Sequence, residues 1–257
     1  MDEAGPYEGI VRELAGTAFA SISYREETKS TNEDAAPLLE DQRYGGHTIV
    51  AEYQSHGAGR KGRIWLAPAG AALLFTTILP RSLDTQKLWA VPFWVALAVR
   101  RALLEFGIVT TLQWPNDLLL RDRKLAGILC QSCVIASVAR VACGVGINVL
   151  RPGADPGIDP PPAFCSDVAA VERAALLSAI LAEYERALSM LNEPTRIAAA
   201  WDAAAELPGR RYRIALDNES QPFEAVAHGL EDGGGLRVAR ENGTLVTVSL
   251  ADARVLR

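Results

Sequence analysis

The chain has 257 residues, enough for one large domain, or for a large and a small one, with ample apolar material for a core. Hydrophobic residues make up 49% and charged residues 22% of the sequence, as in ordinary globular proteins, and the net charge of −5 argues against nonspecific nucleic-acid binding. No apolar run reaches the ~18 residues that cross a bilayer, and the acidic start is unlike a secretory signal, so we expect a cytoplasmic protein without membrane contacts.

The first half of the chain alternates predicted helices with predicted strands. In chain order, apolar periodicity predicts a helix over residues 8–20, a strand over 24–27, a helix over 31–40, strands over 48–53 and 71–79, and a helix over 83–106. Ser30 and Glu33 have the spacing of a capping box, which predicts the start of the second helix. Pro92 predicts a kink or a late start in the last helix, and Gly107 predicts its end.

The second half is predicted to be mostly β-structure, interrupted by two helices. The predicted elements are strands over 109–113, 118–120, 125–135 and 138–145, a loop over 151–162, helices over 168–191 and 195–205, and strands over 211–216, 223–230, 236–241 and 245–249. Asp122 and Arg123 are expected to form a hairpin turn. Pro208 and Gly209 mark a boundary between a domain over 1–207 and a small β-barrel-like module over 208–257.

The cysteines and histidines do not have the spacing of a metal site. Cys130 and Cys133 form a Cys-x-x-Cys pair, but a separation of three residues on a strand points the two side chains to opposite faces. The three histidines lie far apart in the sequence. We therefore expect no transition metal held by the protein itself, and no disulfide framework.

Ser30, Thr31 and Asn32 stand together at the start of a predicted helix. Capping of the helix explains them, and a cap of this kind contributes ~0.5–2 kcal/mol. Exposed amides and hydroxyls at a helix start also suit a polar neutral group or an anion. The two interpretations are compatible.

A glycine-rich basic loop occupies residues 54–65, between two predicted core strands. It reads Gln-Ser-His-Gly-Ala-Gly-Arg-Lys-Gly-Arg-Ile-Trp, so three glycines interleave with Arg60, Lys61 and Arg63. Glycine lets the backbone turn its amides towards a ligand, and clustered cations stabilise negative charge. Considered alone, an ordinary solvated surface loop explains the same composition.

Two more segments place polar residues at the ends of predicted strands. Pro115 fixes the backbone before Asn116 and Asp117, which makes Asn116 a candidate contact for phosphate or ribose and Asp117 a candidate carboxylate for Mg²⁺. Lys124 opens an otherwise apolar strand, and Gly127 lets a ligand pass close to the backbone. A simple turn and a solvated lysine are the alternatives.

The segment Gly-Val-Gly-Ile-Asn over residues 144–148 ends a predicted strand. It is not a dinucleotide fingerprint, because Val149 stands where the third glycine belongs. The sequence also lacks the Gly-x-x-x-x-Gly-Lys-Ser/Thr pattern of a phosphate-binding P-loop. Any nucleotide must be held by another arrangement.

Taken in order, these segments resemble the motifs of the biotin–protein ligases. The family carries Ser-Thr-Asn, Gln-x-x-Gly-Arg-Gly-Arg-x-Gly-Arg-x-Trp, Lys-Trp-Pro-Asn-Asp, Lys-Leu-x-Gly-Ile-Leu and Gly-x-Gly-Ile-Asn, which match residues 30–32, 54–65, 113–117, 124–129 and 144–148. The resemblance is strong over 24–148 and weaker beyond. It implies an α+β fold of the class II synthetase type, with a mixed, mostly antiparallel sheet flanked by helices and a C-terminal SH3-like β-barrel.

The resemblance implies a reaction in two steps. The carboxylate of biotin attacks the α-phosphorus of ATP, with Mg²⁺, to give biotinyl-5′-AMP and pyrophosphate, and a lysine of a biotin carboxyl carrier protein then takes the biotinyl group. Because two anions must be brought together, catalysis depends on positioning and on stabilisation of charge. The resemblance also implies a homodimer formed through a sheet edge.

Roles follow position by position from the resemblance. Biotin would be bound by Ser30, Thr31, Asn32, Gln54, Gly57, Ala58, Gly59, Arg60, Lys124 and Gly127. ATP would be bound by Arg60, Arg63, Trp65, Asn116, Asp117, Lys124 and Asn148. The catalytic residues would be Arg60, Lys124 and Asp117, with Asp117 serving Mg²⁺ or orienting the incoming lysine.

Two positions depart from the family pattern. Ala58 replaces an arginine of the basic loop, and Gln113 replaces the lysine before Trp-Pro-Asn-Asp. Each change removes a cation, so we expect weaker retention of the adenylate and not a loss of chemistry. A lipoate ligase and a biotin-binding protein with weak turnover are the alternatives. About twenty residues precede the first core strand, too few for a helix-turn-helix domain, so we expect a ligase that does not bind DNA.

Overall fold

A computed structural model describes residues 4–153, 157–251 and 253–256 of the chain. The strands of its main sheet are β1 Ser21–Thr28, β2 His47–Gln54, β3 Ala72–Ile78, β4 Leu83–Asp84, β5 Thr111–Gln113, β6 Asp117–Leu120, β7 Arg123–Ile135 and β8 Val138–Asn148. Their order in the sheet is β1-β2-β3-β8-β7-β6-β5, with β4 paired to β8. β1 and β2 are parallel, and the other pairs are antiparallel, which confirms a mixed, mostly antiparallel sheet.

Within the part of the chain that the structure describes, five α-helices flank this sheet: α1 Glu8–Glu13, α2 Thr31–Ala35, α3 Val91–Glu105, α4 Arg173–Ala187 and α5 Pro194–Ala204. The large core lies between the sheet and the pair α3 and α4, where Trp94 stacks on Tyr184 with ring centroids 4.7 Å apart. Val141, Cys143 and Val145 of β8 belong to this core, whereas Ala142 belongs to a small cluster beneath α2. Because side chains alternate along a strand, Gly144 and Gly146 face the α2 side.

The C-terminal module contains the strands β9 Arg211–Leu216, β10 Phe223–Leu230, β11 Leu236–Arg240, β12 Leu245–Val248 and β13 Ala253–Leu256. They form a five-stranded antiparallel sheet with the order β12-β11-β10-β9-β13. Within residues 208–251 and 253–256, no pairing between β12 and β13 closes the sheet into a barrel. The sequence did not predict β13, which has only four residues and no turn signal of its own.

Several predicted helices are shorter in the structure. The helix predicted over 8–20 ends at Glu13, and the chain turns at Gly16, where φ is +90°. The helix predicted over 31–40 is α-helical only to Ala35 and then continues as a 3-10 turn, because Pro37 lacks the N–H that an α-helix needs. The predicted capping box is also wrong, since the Ser30 side chain makes no capping hydrogen bond.

The long helix predicted over 83–106 begins late. Leu83–Asp84 pairs with β8, Thr85–Ala90 is a 3-10 helix, and the α-helix starts at Val91 with Pro92 in its first turn, which confirms the late start. The hairpin turn lies at Arg121 and Asp122, both with positive φ, one residue before the predicted position.

The later predictions also need adjustment. The helix predicted over 168–191 is α-helical over Arg173–Ala187, followed by a 3-10 helix over Leu188–Asn192. In the loop predicted over 151–162, residues 151–153 and 157–162 form neither helix nor strand, and residues 154–156 lie outside the described residues. None of the helices described is both long enough and apolar enough to span a membrane.

Candidate active site

One cavity opens on the face of the sheet beneath α2, and its polar end is built at the start of that helix. The backbone N–H and the hydroxyl of Thr31 both donate to the Gln54 amide oxygen, at 2.7 and 3.0 Å. The Asn32 amide donates to the Leu129 carbonyl at 3.0 Å, and its oxygen accepts from the Thr76 hydroxyl at 2.6 Å. The polar groups are therefore oriented before any ligand arrives.

A glycine on β8 leaves room for this arrangement. A Cβ added at Gly144 would lie 1.9 Å from the Asn32 side-chain oxygen, far inside van der Waals contact. Only glycine therefore lets Asn32 lie across the strand. This contact with Asn32 explains the first glycine of the Gly-x-Gly segment, which is not a dinucleotide-binding motif.

The basic loop is a short hairpin that forms the opposite wall. Ala58 and Ile64 pair as an isolated antiparallel bridge. The backbone N–H of Gly59 donates to the Arg63 carbonyl, and that of Trp65 donates to the Gly57 carbonyl, each at 2.7 Å. The hairpin directs Arg60, Arg63 and Trp65 to the cavity.

Trp65 lies on a floor made by two paired glycines. Gly127 of β7 is the register partner of Gly146 of β8, and added Cβ atoms there would meet the indole at 3.1 and 2.7 Å. The ammonium of Lys124 lies 5.5 Å from the indole centroid. The ring and the cation thus form one wall together.

Asp117 and Lys124 face each other across β6 and β7. The Lys124 ammonium lies 2.7 Å from a carboxylate oxygen of Asp117, and the carboxylate is largely buried. Asn116 is held next to them by its side-chain amide, which donates to the Ile128 carbonyl at 2.7 Å. The ion pair orients the lysine side chain towards the cavity.

Arg60 brings a third charge to this wall. Burial lowers the pKa of its guanidinium, the nearby Arg63 lowers it further, and Asp117 opposes the change. An arginine remains charged throughout the physiological range even when its pKa falls. The guanidinium also donates a hydrogen bond to the Leu250 carbonyl of the C-terminal module.

A second, more apolar cavity lies on the other side of Trp65. It shares Arg63, Ile64, Trp65 and Lys124 with the first cavity, and the rest of its lining is apolar apart from Asn148 and Asp159. Asn148 lies there, and its side-chain amide donates to the Ala163 carbonyl at 3.1 Å. Trp65 and Lys124 therefore separate a polar compartment from an apolar one.

Most residues predicted from sequence meet at the first cavity. Those that line it are Ser30, Thr31, Asn32, Gln54, Ala58, Gly59, Arg60, Arg63, Trp65, Asn116, Asp117, Lys124 and Gly127. Gly57 does not line the cavity and packs against the other strand of the loop hairpin, where an added Cβ would lie 2.6 Å from the Trp65 carbonyl oxygen. Asn148 lines only the second cavity.

Sequence reasoning missed several lining residues, namely Ile64, Ile128, Leu129, Gly144, Val145 and Gly146. Gly144 and Gly146 could have been found, because they alternate on one strand and therefore share a face, and Gly146 pairs with Gly127 of the neighbouring strand. The apolar members carry no comparable signal, since Ile128, Leu129 and Val145 are ordinary strand residues and Ile64 is an ordinary loop residue.

The described residues contain no group of three or more His, Cys, Asp or Glu side chains that could hold a metal ion. Of the residues that line the first cavity, Asp117 is the one carboxylate, and it is engaged with Lys124. Cys130, Cys133, Cys143 and Cys165 are free thiols. Cys130 and Cys143 are register partners on β7 and β8.

Comparisons with known proteins agree with this geometry. Residues 24–148 match the Biotin/lipoate A/B protein ligase family. The chain is 33% identical to the biotin–[acetyl-CoA-carboxylase] ligase of Mycobacterium tuberculosis, over 95% of this chain and 92% of that protein. It is 38% identical to the ligase of the same name from Paracoccus denitrificans, over 52% of this chain and 58% of that protein.

The fold is similar to that of solved biotin protein ligases. The Aquifex aeolicus enzyme in complex with biotin and ATP superposes with a TM-score of 0.75 at 22% identity, covering 92% of this chain and 99% of that one. The Leishmania major enzyme in complex with biotinyl-5-AMP superposes with a TM-score of 0.61 at 22% identity, over 89% of this chain and 98% of that one. The chain belongs to the biotin–protein ligase family.

Proposed function

We propose that the chain uses ATP to convert biotin into biotinyl-5′-AMP and then transfers the biotinyl group to a lysine of a biotin carboxyl carrier protein. The observation that carries this proposal is the cavity itself. A neutral polar end, built by Thr31, Asn32 and Gln54, faces a wall with the three cations Arg60, Arg63 and Lys124. Such a site suits a ligand with a polar, uncharged ring at one end and an anion at the other.

The ureido ring of biotin fits the polar end. A cyclic urea offers two N–H donors and one carbonyl acceptor, and Ser30, Thr31, Asn32 and Gln54 supply hydroxyl and amide groups of both kinds. The rest of the biotin molecule would extend from this end towards the wall formed by Trp65 and Lys124. Its carboxylate would then reach Lys124 and Arg60.

The nucleotide fits the second, more apolar cavity, on the other side of Trp65. Adenine would pack in the apolar cavity against the indole, with Asn148 nearby, and the α-phosphate would lie at Arg60, Arg63 and Lys124. Asn116 would support the ribose or phosphate from its fixed position. Mg²⁺ that accompanies ATP would neutralise phosphate charge, and Asp117, the carboxylate that lines the first cavity, would contact it.

The reaction needs little covalent chemistry from the protein. A carboxylate oxygen of biotin bonds to the α-phosphorus as pyrophosphate leaves, and the amine of the acceptor lysine then bonds to the biotinyl carbonyl carbon as AMP leaves. Lys124 and Arg60 would offset the repulsion between the two anions and stabilise the charge of the transition state. Asp117 would keep Lys124 oriented until the ligands arrive.

Pyrophosphate release tests the activity directly. The protein with MgATP should release pyrophosphate when biotin is added and should not when lipoate is added. Release with lipoate alone would favour the lipoate ligase, which the family match also allows. The third alternative, a binding protein with weak turnover, predicts that biotin raises the melting temperature and that adding MgATP raises it no further.

We also propose a homodimer that pairs along the outer edge of β7. Within the described part of the chain, no strand pairs with this edge beyond Leu129, and Val134 and Ile135 near its end are exposed. Unpaired strand edges with apolar residues favour association with another strand. Sedimentation velocity of the protein with biotin and MgATP tests this proposal, and a monomer at every concentration would contradict it.

A further inference from the structure

The C-terminal sheet contacts the tip of the basic loop. Arg60 donates a hydrogen bond from its guanidinium to the Leu250 carbonyl, and the Lys61 ammonium lies 2.6 Å from a carboxylate oxygen of Asp217. Asp217 directly follows β9, and Leu250 follows β12. Two separate turns of the C-terminal sheet therefore hold two consecutive residues of the loop.

The backbone of the loop is shaped for these contacts. Lys61 has φ 55° and ψ 40°, in the left-handed region that residues with a side chain rarely adopt. Gly62 follows with φ 70°, and the turn closes through the hydrogen bond from Gly59 to Arg63. Lys61 thereby reaches the C-terminal sheet while Arg63, on the returning strand, lines the cavity.

The C-terminal sheet is itself fixed next to the active site. The indole N–H of Trp114, a fully buried residue, donates to the Gly234 carbonyl at 3.1 Å, and the Arg210 guanidinium donates to the Leu112 carbonyl at 2.8 Å. Trp114 stands two residues before Asn116 in the chain. By holding the basic loop, the C-terminal sheet therefore also fixes the position of the loop relative to Asn116 and the adjacent wall of the cavity.

We propose that the C-terminal sheet anchors the basic loop over the adenylate, and that Asp217 is a positioning residue that acts through Lys61. This inference rests on the proposed function. Asp217 does not line the cavity, so its effect belongs to retention of the adenylate and not to the bond-making step. The pair is partly solvated, with side chains 23% and 51% exposed, so the coupling is modest.

The variant Asp217→Asn in the full-length chain tests the anchor. Biotinyl-AMP formed on the protein is diluted into excess unlabelled biotin and ATP, and the release of labelled adenylate is followed with time. We expect release to be about two- to fivefold faster than in the wild type, as an exposed ion pair allows. The single-turnover rate of pyrophosphate formation should stay unchanged.

Matched variants separate anchoring from general damage. Asp217→Glu keeps the charge and should restore wild-type release. Asp232→Asn makes the same change at an exposed turn of the same sheet, between β10 and β11, and should have no effect. In a double-mutant cycle, Asp217→Asn should add nothing to Lys61→Met, because the two residues act as one pair.

Two results would overturn the anchor: release from Asp217→Asn that is equal to or slower than wild type, or full additivity with Lys61→Met. Slower release would mean that the contact holds the loop away from the ligand. These results are distinct from failure of the proposed function. In that case the wild-type protein itself would release no pyrophosphate with biotin.

Discussion

Asn32 can lie across β8 only because residue 144 has no side chain. Replacing Gly144 with alanine would place a Cβ 1.9 Å from the Asn32 oxygen and force that side chain away from Leu129 and Thr76. We expect Gly144→Ala to weaken biotin binding at least about tenfold, because the polar end loses its preset hydrogen bonds. Isothermal titration calorimetry measures this.

Gly153→Ala is the matched control for that substitution. An added Cβ at Gly153 meets no atom of the described residues within 4 Å, so biotin affinity should not change. Equal affinity for biotin in Gly144→Ala and the wild type would show that Asn32 does not position the ligand.

Ala58 matters because it lacks the positive charge that arginine carries at this position in the family pattern. It is exposed at the mouth of the cavity, so an arginine fits there without repacking the loop. We expect Ala58→Arg to slow the release of biotinyl-AMP by about ten- to a hundredfold, since a charge-assisted hydrogen bond contributes ~1.5–3 kcal/mol. The length-matched variant Ala58→Met should leave release unchanged. An unchanged rate in Ala58→Arg would remove the argument for a lost cation.

At the scale of elements, the paired strands β7 and β8 form the floor of the site. Alanine at residue 146 would place its Cβ 2.7 Å from the Trp65 indole and lift the ring from the sheet. We expect Gly146→Ala to raise the KM for ATP more than the KM for biotin, because Trp65 borders the apolar cavity. Steady-state kinetics with each substrate varied in turn decides this. A selective rise in the KM for biotin would contradict the prediction, because it would show that Trp65 contacts biotin and not ATP.

The strands were predicted from sequence more accurately than the helices. Apolar runs such as the one over 71–79 identify a central strand because burial on both faces demands continuous hydrophobicity. Helix ends depend on single residues. Apolar spacing predicted two helices that run past Gly16 and Pro37, whereas in the structure both α-helices end before these residues. The motif residues that line the first cavity could be selected from the sequence because their polar and charged chemistry is visible there. Their partners Thr76, Leu250 and Asp217 could not, since only tertiary contact identifies them.

At the scale of the whole molecule, the C-terminal sheet is docked through buried polar contacts. Trp114→Phe would leave the Gly234 carbonyl without its donor, which costs about 1–3 kcal/mol. We expect faster hydrogen exchange across the strands β9 to β13 as well as a lower melting temperature. Trp94→Phe removes a hydrogen bond of the same type between α3 and α4, to the Ala187 carbonyl, and should leave exchange in the C-terminal sheet unchanged. Identical exchange patterns in both variants would contradict docking through Trp114.

Mass spectrometry of a biotin carboxyl carrier domain, incubated with the protein, biotin and MgATP, shows directly whether the chain transfers biotin. With the wild-type chain we expect the carrier to gain the mass of one biotinyl group. With Lys124→Met we expect a rate at least about a hundredfold lower, because one preorganised cation has been removed from the transition state. A carrier that gains no mass, or a Lys124→Met variant as fast as the wild type, would contradict the claim that this cationic wall joins the two substrates.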